Sequence, residues 1–89
     1  MSKQEFQLES FAYEDEFFLW FRVSRPVIRL STVKLPTIDG VDHGYETCIF
    51  FIGKRFNEVL AHYDTLQEAV DGHREYQRSY RLTPKKFVL

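Results

Sequence analysis

The sequence predicts an α+β domain: an antiparallel β-sheet of about four to five strands with one C-terminal helix packed on a face. Three observations predict it. Aromatic and β-branched residues recur at strand spacing from Phe17 to Leu35 and again from Tyr45 to Ile52. From Thr65 the apolar residues change to a period near 3.6 and keep it to Tyr80. No repeat, low-complexity tract or Gly/Ser/Pro-rich linker divides the 89 residues. Residues 1–89 therefore form a single small domain, too short for two independent cores.

The opening of the chain offers two readings. Ser2-Lys3-Gln4-Glu5 fits a capping box for a short helix. Phe6/Leu8 and Phe11/Tyr13 instead alternate at period two, with a slip at Glu9-Ser10 that a bulge absorbs, and this favours a strand. Glu14-Asp15-Glu16 is a polar break and is expected to turn. Phe17 to Ser24 reads as a strand with Phe17, Leu19, Phe21 and Val23 on one side and Phe18, Trp20, Arg22 and Ser24 on the other. Arg25-Pro26 is expected to end it, because Pro donates no ladder hydrogen bond and restricts the residue before it. Val27 to Leu35 resumes the strand pattern. Pro36 to Gly44 is a loop with turns at Asp39-Gly40 and His43-Gly44. Tyr45 to Ile52 is almost continuously apolar, as a central strand covered on both faces would be. Gly53-Lys54-Arg55 turns the chain, and a short strand follows from Asn57 or Glu58 to Tyr63.

The helix has explicit boundaries. Thr65 is an N-cap and Glu68, three residues on, completes a capping box. Leu66, Ala69, Val70, His73, Tyr76 or Gln77, and Tyr80 make the apolar stripe. Gln67, Asp71, Arg74, Glu75 and Arg78 make the solvated face, with Asp71–Arg74 and Glu75–Arg78 as i,i+3 partners. Gly72 inside this helix costs about 1 kcal/mol relative to Ala, which a close approach of helix to sheet would offset. Pro84 lies beyond the end.

Composition constrains function mainly by exclusion. The apolar run Phe17–Phe21 is far short of the roughly 20 residues of a membrane span, and the amino terminus is unlike a signal peptide. A single cysteine, Cys48, allows no internal disulfide, which suits a reducing cytoplasm. Nine Phe, five Tyr and one Trp are more rings than one small core readily holds, since each buries roughly 150–250 Å². Some are expected in an interface, and Phe11, Tyr13, Phe18 and Trp20 are the candidates for a homodimer contact. The net charge of −1 conceals blocks: −4 over residues 1–21, +4 over 22–35, −5 over 36–72 and +4 over 73–89. The Glu14-Asp15-Glu16 block is placed to meet the Arg22–Lys34 block of a second copy. Alternating blocks are unlike the uniformly basic surface of a general nucleic-acid binder.

No motif carries a reaction. His43, His62, His73 and Cys48 stand singly, without metal-ligand spacing, so no metal or cofactor is expected. Glu46, Asp64 and His73 would make a base with an orienting carboxylate if the fold brought them together; the plainer expectation is His73 bonded to Glu46 as a brace between helix and sheet. Cys48, inside an apolar strand, is expected to be an inert thiol. There is no glycine-rich phosphate loop. The chain reads as not an enzyme.

Ser31-Thr32-Val33, Tyr45-Glu46-Thr47-x-Ile49-Phe50, Tyr63-x-Thr65, Glu68-Ala69 and Gly72-His73 together resemble a family of small uncharacterised phage and prophage proteins. The resemblance covers roughly residues 31–75. The chain departs from that pattern with Cys48 where Met is usual, with His62 where Arg is usual, and with a loop at 36–44 poor in Gly and Pro. The resemblance implies a phage context and a β-β-α core, and supplies no catalytic residues.

Taken together, these features lead to three expectations. The first is a non-enzymatic phage or prophage protein acting in the host cytoplasm, which binds and inhibits a host protein such as a CRISPR–Cas defence complex. Its partner-binding residues would be Arg74, Arg78, Tyr80 and Arg81 at the helix end, with Asp39, Asp42 and His43 in the loop as the other candidate surface. The second is an oligomeric sponge that sequesters a nucleotide signal through Arg22, Arg25, Arg29 or the tail cations. The third is nucleic-acid binding through Arg74, Arg78, Arg81, Lys85 and Lys86 interleaved with Tyr76 and Tyr80.

Overall fold

The structure is a computed structural model that describes residues 6–84. The Ser2–Glu5 capping box and Lys85 and Lys86 lie outside the described residues. Five strands, β1 (Gln7–Phe18), β2 (Phe21–Lys34), β3 (Tyr45–Phe51), β4 (Phe56–Tyr63) and β5 (Thr83–Pro84), form one antiparallel sheet in the order β4-β3-β2-β1-β5. Helix α1 (Leu66–Ser79) lies across one face, giving the expected α+β architecture. Among the described residues no helix is long and apolar enough to cross a membrane.

Register places the core. Ser10 opposes Leu30, Leu30 opposes Ile49, and Thr32 opposes Thr47, so these side chains share the helix face. Leu30 and Ile49 pack there with Leu82, and Ala12, Ile28, Phe51, Leu60 and Tyr76 surround them. Ala69 and His73 are the buried residues of the helix, whereas Leu66 and Tyr80, expected on the same stripe, are exposed. The opposite face carries Glu9, Arg29, Glu46, Cys48 and Phe50 and has no covering layer among the described residues. Strand β3 is therefore interior, as expected, but covered on one face only: Thr47 and Ile49 are buried while Glu46, Cys48 and Phe50 are half-exposed.

The first half of the chain departs from the sequence expectation. Glu14-Asp15-Glu16 does not turn, and Arg25-Pro26 does not end a strand. Strands β1 and β2 instead form one long hairpin that reverses at Leu19-Trp20, between the paired Phe18 and Phe21. The acids stay in a strand because cations oppose them. Asp15 accepts from Ser24 and lies 3.8 Å from Arg22, and Glu16 pairs with Arg25. Pro26 is tolerated because β3 reaches only as far as Ile28, so that side of β2 has no ladder to break. A register shift after Ala12 leaves Val27 as the extra residue. Beyond this bulge the hairpin runs on as two strands. The radius of gyration of 15.4 Å accordingly exceeds the ~12 Å of a compact chain this long.

Candidate protein interface

Of the residues that carry the family resemblance, Ser31, Thr32, Thr47, Ile49, Ala69 and His73 are buried. Ser10 donates to Gln77 Oε1 at 2.8 Å, so its oxygen is left to accept the proton of His73 Nε2, also 2.8 Å away. In a neutral imidazole Nδ1 is then an acceptor, and Thr32 donates to it at 2.7 Å. The Thr32 and Thr47 hydroxyls lie 2.5 Å apart, and Thr47 donates to the Tyr63 hydroxyl, 3.2 Å away at the half-buried end of the chain. His73 is 3% exposed, and burial holds its pKa below the usual histidine value, which keeps the ring neutral. With both ring nitrogens engaged and no solvent access, His73 braces helix to sheet. The brace is as expected but its partners are not, for they are Ser10 and Thr32 rather than Glu46.

Glu46 is on the other face, so Glu46, Asp64 and His73 do not converge. Glu46 bonds His62 Nε2 at 2.9 Å and accepts from the Cys48 thiol at 3.3 Å. Burial, reinforced by that carboxylate, pushes the Cys48 thiol up to about 11. Among the described residues no three His, Cys, Asp or Glu side chains are grouped to hold a metal.

The surface cations fall into two sets, and the division decides between the functional readings. Every cation of the 22–35 block is engaged within the chain: Arg22 with Asp15, Arg25 with Glu16, Arg29 with Glu9 at 2.7 Å and Lys34 with Asp42 at 2.6 Å. Arg29 also lies over the Phe50 ring, 5.2 Å from its centroid. Arg74, Arg78 and Arg81, all exposed, have no carboxylate partner among the described residues. The expected Asp71–Arg74 and Glu75–Arg78 pairs do not form; Asp71 takes Gln67 at 3.0 Å instead. Tyr80 stacks on Tyr76 with ring centroids 6.5 Å apart, and Tyr76 is tied to the Leu60 carbonyl at 3.3 Å. The helix end thus presents three guanidinium groups without a carboxylate partner among the described residues, while the Tyr76–Tyr80 pair lies on the core-facing side of the same turns.

The 36–44 loop is organised differently. Asp39 and Gly40, with φ of 52° and 78°, make a two-residue reversal between the bridged Ile38 and Val41. Asp42 accepts from Lys34 and from the Gly44 N–H, and the lysine above all holds its carboxyl below the usual range. Asp42 is thus an anchor of the loop, leaving Asp39 and His43 as its exposed polar tips. Gly44 packs against the Tyr63 carbonyl, just before the helix start, whereas Arg78 and Arg81 lie about 20 Å along the helix. The two candidate surfaces are not brought together.

Of the aromatic residues expected in an interface, Phe11 is half-buried beside Tyr13, Tyr13 is exposed, and Trp20 sits at the hairpin apex. The Phe18 side chain lies outside the described residues. Sequence reasoning missed the apex itself, since Leu19-Trp20 has none of the residues that announce a two-residue turn. No known family profile, curated protein or solved structure matches the chain.

Proposed function

We propose that this chain is a non-enzymatic phage or prophage accessory protein that binds and inhibits a host protein in the cytoplasm. The class of target is an antiphage defence component such as a CRISPR–Cas complex. The observation that carries the reading is the set of exposed arginines Arg74, Arg78 and Arg81, which have no carboxylate partner among the described residues, at a helix end that also exposes Tyr80. Arg and Tyr dominate interface hot spots, and a helix holds them at low entropic cost. The phage context rests on the resemblance of residues 31–75.

The nucleotide-sponge reading loses support, because Arg22, Arg25 and Arg29 are already engaged by carboxylates. Nucleic-acid binding would use the same helix-end arginines, so the experiment must separate the two. Affinity capture from host lysate, with and without nuclease, followed by mass spectrometry and an assay of the captured complex, does so. Nuclease-resistant capture of a defence protein whose activity then falls supports the proposal. Capture of nucleic acid that salt releases, or a co-purifying nucleotide, refutes it.

A further inference from the structure

The distal half of the β1–β2 hairpin has the attributes of a contact element. Past the Tyr13–Pro26 pair it is, among the described residues, two strands without a third, an arrangement marginal in water. Its apex is apolar and largely exposed: Phe17 is 77% exposed, Leu19 84%, Trp20 89% and Phe21 54%. Leu19 holds φ at 54°, where a glycine or asparagine would sit without strain, and this puts two large apolar side chains at the tip.

The same molecule carries a matching cavity. Where β2 parts from β3, beyond the Ile28–Phe51 pair, the hairpin base and the β3–β4 turn border an open cleft of about 540 Å³. Pro26, Val27, Ile28, Phe51 and Ile52 supply its apolar lining, and Glu14, Arg25 and Lys54 its charged groups. We propose that its occupant is the hairpin tip of a second copy of this chain, the two copies exchanging tips reciprocally.

Reach, area and charge all favour a second copy. Arg25, at the cleft, is six positions along the chain from Leu19, about 20 Å of strand. Two hairpins laid side by side and antiparallel therefore bring each tip to the other's base, a closed two-fold contact. Among the described residues no strand pairs with the outer edge of β2 from Arg22 to Pro26, and this edge would meet its counterpart. The four tip side chains offer on the order of 500 Å² of apolar surface. With the cleft added, each copy approaches the ~800 Å² per partner of a stable interface. Arg22 and Arg25 are matched by Asp15 and Glu16 within each hairpin, so two copies approach without a strong field between them. A lipid surface fits less well: Glu14, Asp15 and Glu16 outnumber Arg22 and Arg25, the reverse of the basic flank that draws a hairpin to anionic membranes.

Trp20 is the sole tryptophan, so its fluorescence reports on the tip directly. Sedimentation equilibrium of the wild type should give twice the 10.7 kDa chain mass, with Trp20 emission shifting to shorter wavelength as dimer forms. Leu19→Ser/Trp20→Ser at the tip, and separately Ile52→Glu in the cleft, should each raise the dimer dissociation constant by about thirtyfold or more. Circular dichroism checks that both variants fold. Hydrogen exchange reads the contact without any variant: the Phe21–Arg25 amides should gain protection with protein concentration. The proposal is overturned by a wild type that stays monomeric, by a dimer that survives either substitution, or by Trp20 emission that responds to phosphatidylcholine vesicles and not to protein concentration.

Discussion

Tyr63 lies against the helix at Gly72, where a methyl group would fall 2.3 Å from the phenol oxygen and 2.4 Å from a ring carbon. The glycine is therefore a consequence of the ring. In an unobstructed helix Gly→Ala gains about 1 kcal/mol. Here Gly72→Ala must displace Tyr63 and its contact with Thr47, and overpacking of this kind costs about 1–3 kcal/mol. A net loss of stability is expected in urea denaturation. In a Tyr63→Ala background the same substitution should become neutral or stabilising, and a persistent loss there would show that the ring is not the cause.

His73 sets a pH dependence. Its folded pKa lies below the ordinary value of 6.5, because burial disfavours the imidazolium, so on acidification the unfolded chain binds the proton first. Its contribution is complete above pH 6.5 and is lost as pH falls from there towards the folded value. The urea midpoint should therefore decline between about pH 7.5 and 5.5, and His73→Gln should flatten that decline. An unchanged slope in the variant would assign the effect to other groups.

Cys48, with its thiol at about 11 and bonded to Glu46, carries almost no thiolate at neutral pH. The folded protein should resist a thiol reagent that labels the urea-unfolded chain readily. Glu46→Gln removes the neighbouring charge and should speed labelling of the folded form; the absence of any acceleration would leave burial as the whole cause.

These residues show what the sequence made legible and what it did not. The helix was readable because its signals are local. Thr65 caps, Glu68 answers, and the observed helix runs from Leu66 to Ser79 between caps Thr65 and Tyr80. The interior strand at Tyr45 was readable from its apolar density. The long hairpin was not, because what keeps Glu14–Glu16 in a strand lies across the hairpin at Arg22–Arg25, and its turn at Leu19-Trp20 contains no turn residue. The partners of His73 were equally hidden: Ser10 is 63 residues away, and nothing in the local pattern marks it as polar core. At the candidate surface the arginines were identifiable by composition. Their lack of partners was not, since the i,i+3 spacing suggested pairs that do not form.

The capping box makes the strongest single-site stability prediction. The Glu68 N–H donates to Thr65 Oγ1 at 3.1 Å, and the Thr65 N–H donates to Glu68 Oε1 at 3.2 Å. Thr65→Ala removes the first and exposes the second, and should cost about 0.5–2 kcal/mol. Thr65→Ser should recover most of that in thermal unfolding, because the hydroxyl is what matters. Failure of serine to rescue would point to the threonine methyl instead.

The helix end gives the functional prediction. Arg78 and Arg81 are exposed and unpaired, so reversing their charge disturbs no contact within the described chain. Arg78 does lie in the last turn, where the helix dipole favours a cation, and Glu there should cost about 0.3–1 kcal/mol. Against the captured target the loss should be larger. Two charge-assisted hot-spot contacts turned repulsive should weaken binding by about 2 kcal/mol or more, roughly thirtyfold. The double variant Arg78→Glu/Arg81→Glu would be measured by calorimetry against the purified target, with circular dichroism to show that the fold is intact. A matched variant, Asp39→Lys/His43→Glu, probes the loop at the far end of the helix. Affinity unchanged in the arginine variant but lost in the loop variant would move the binding surface to the loop, because the two patches lie about 20 Å apart and one substitution cannot act through the other.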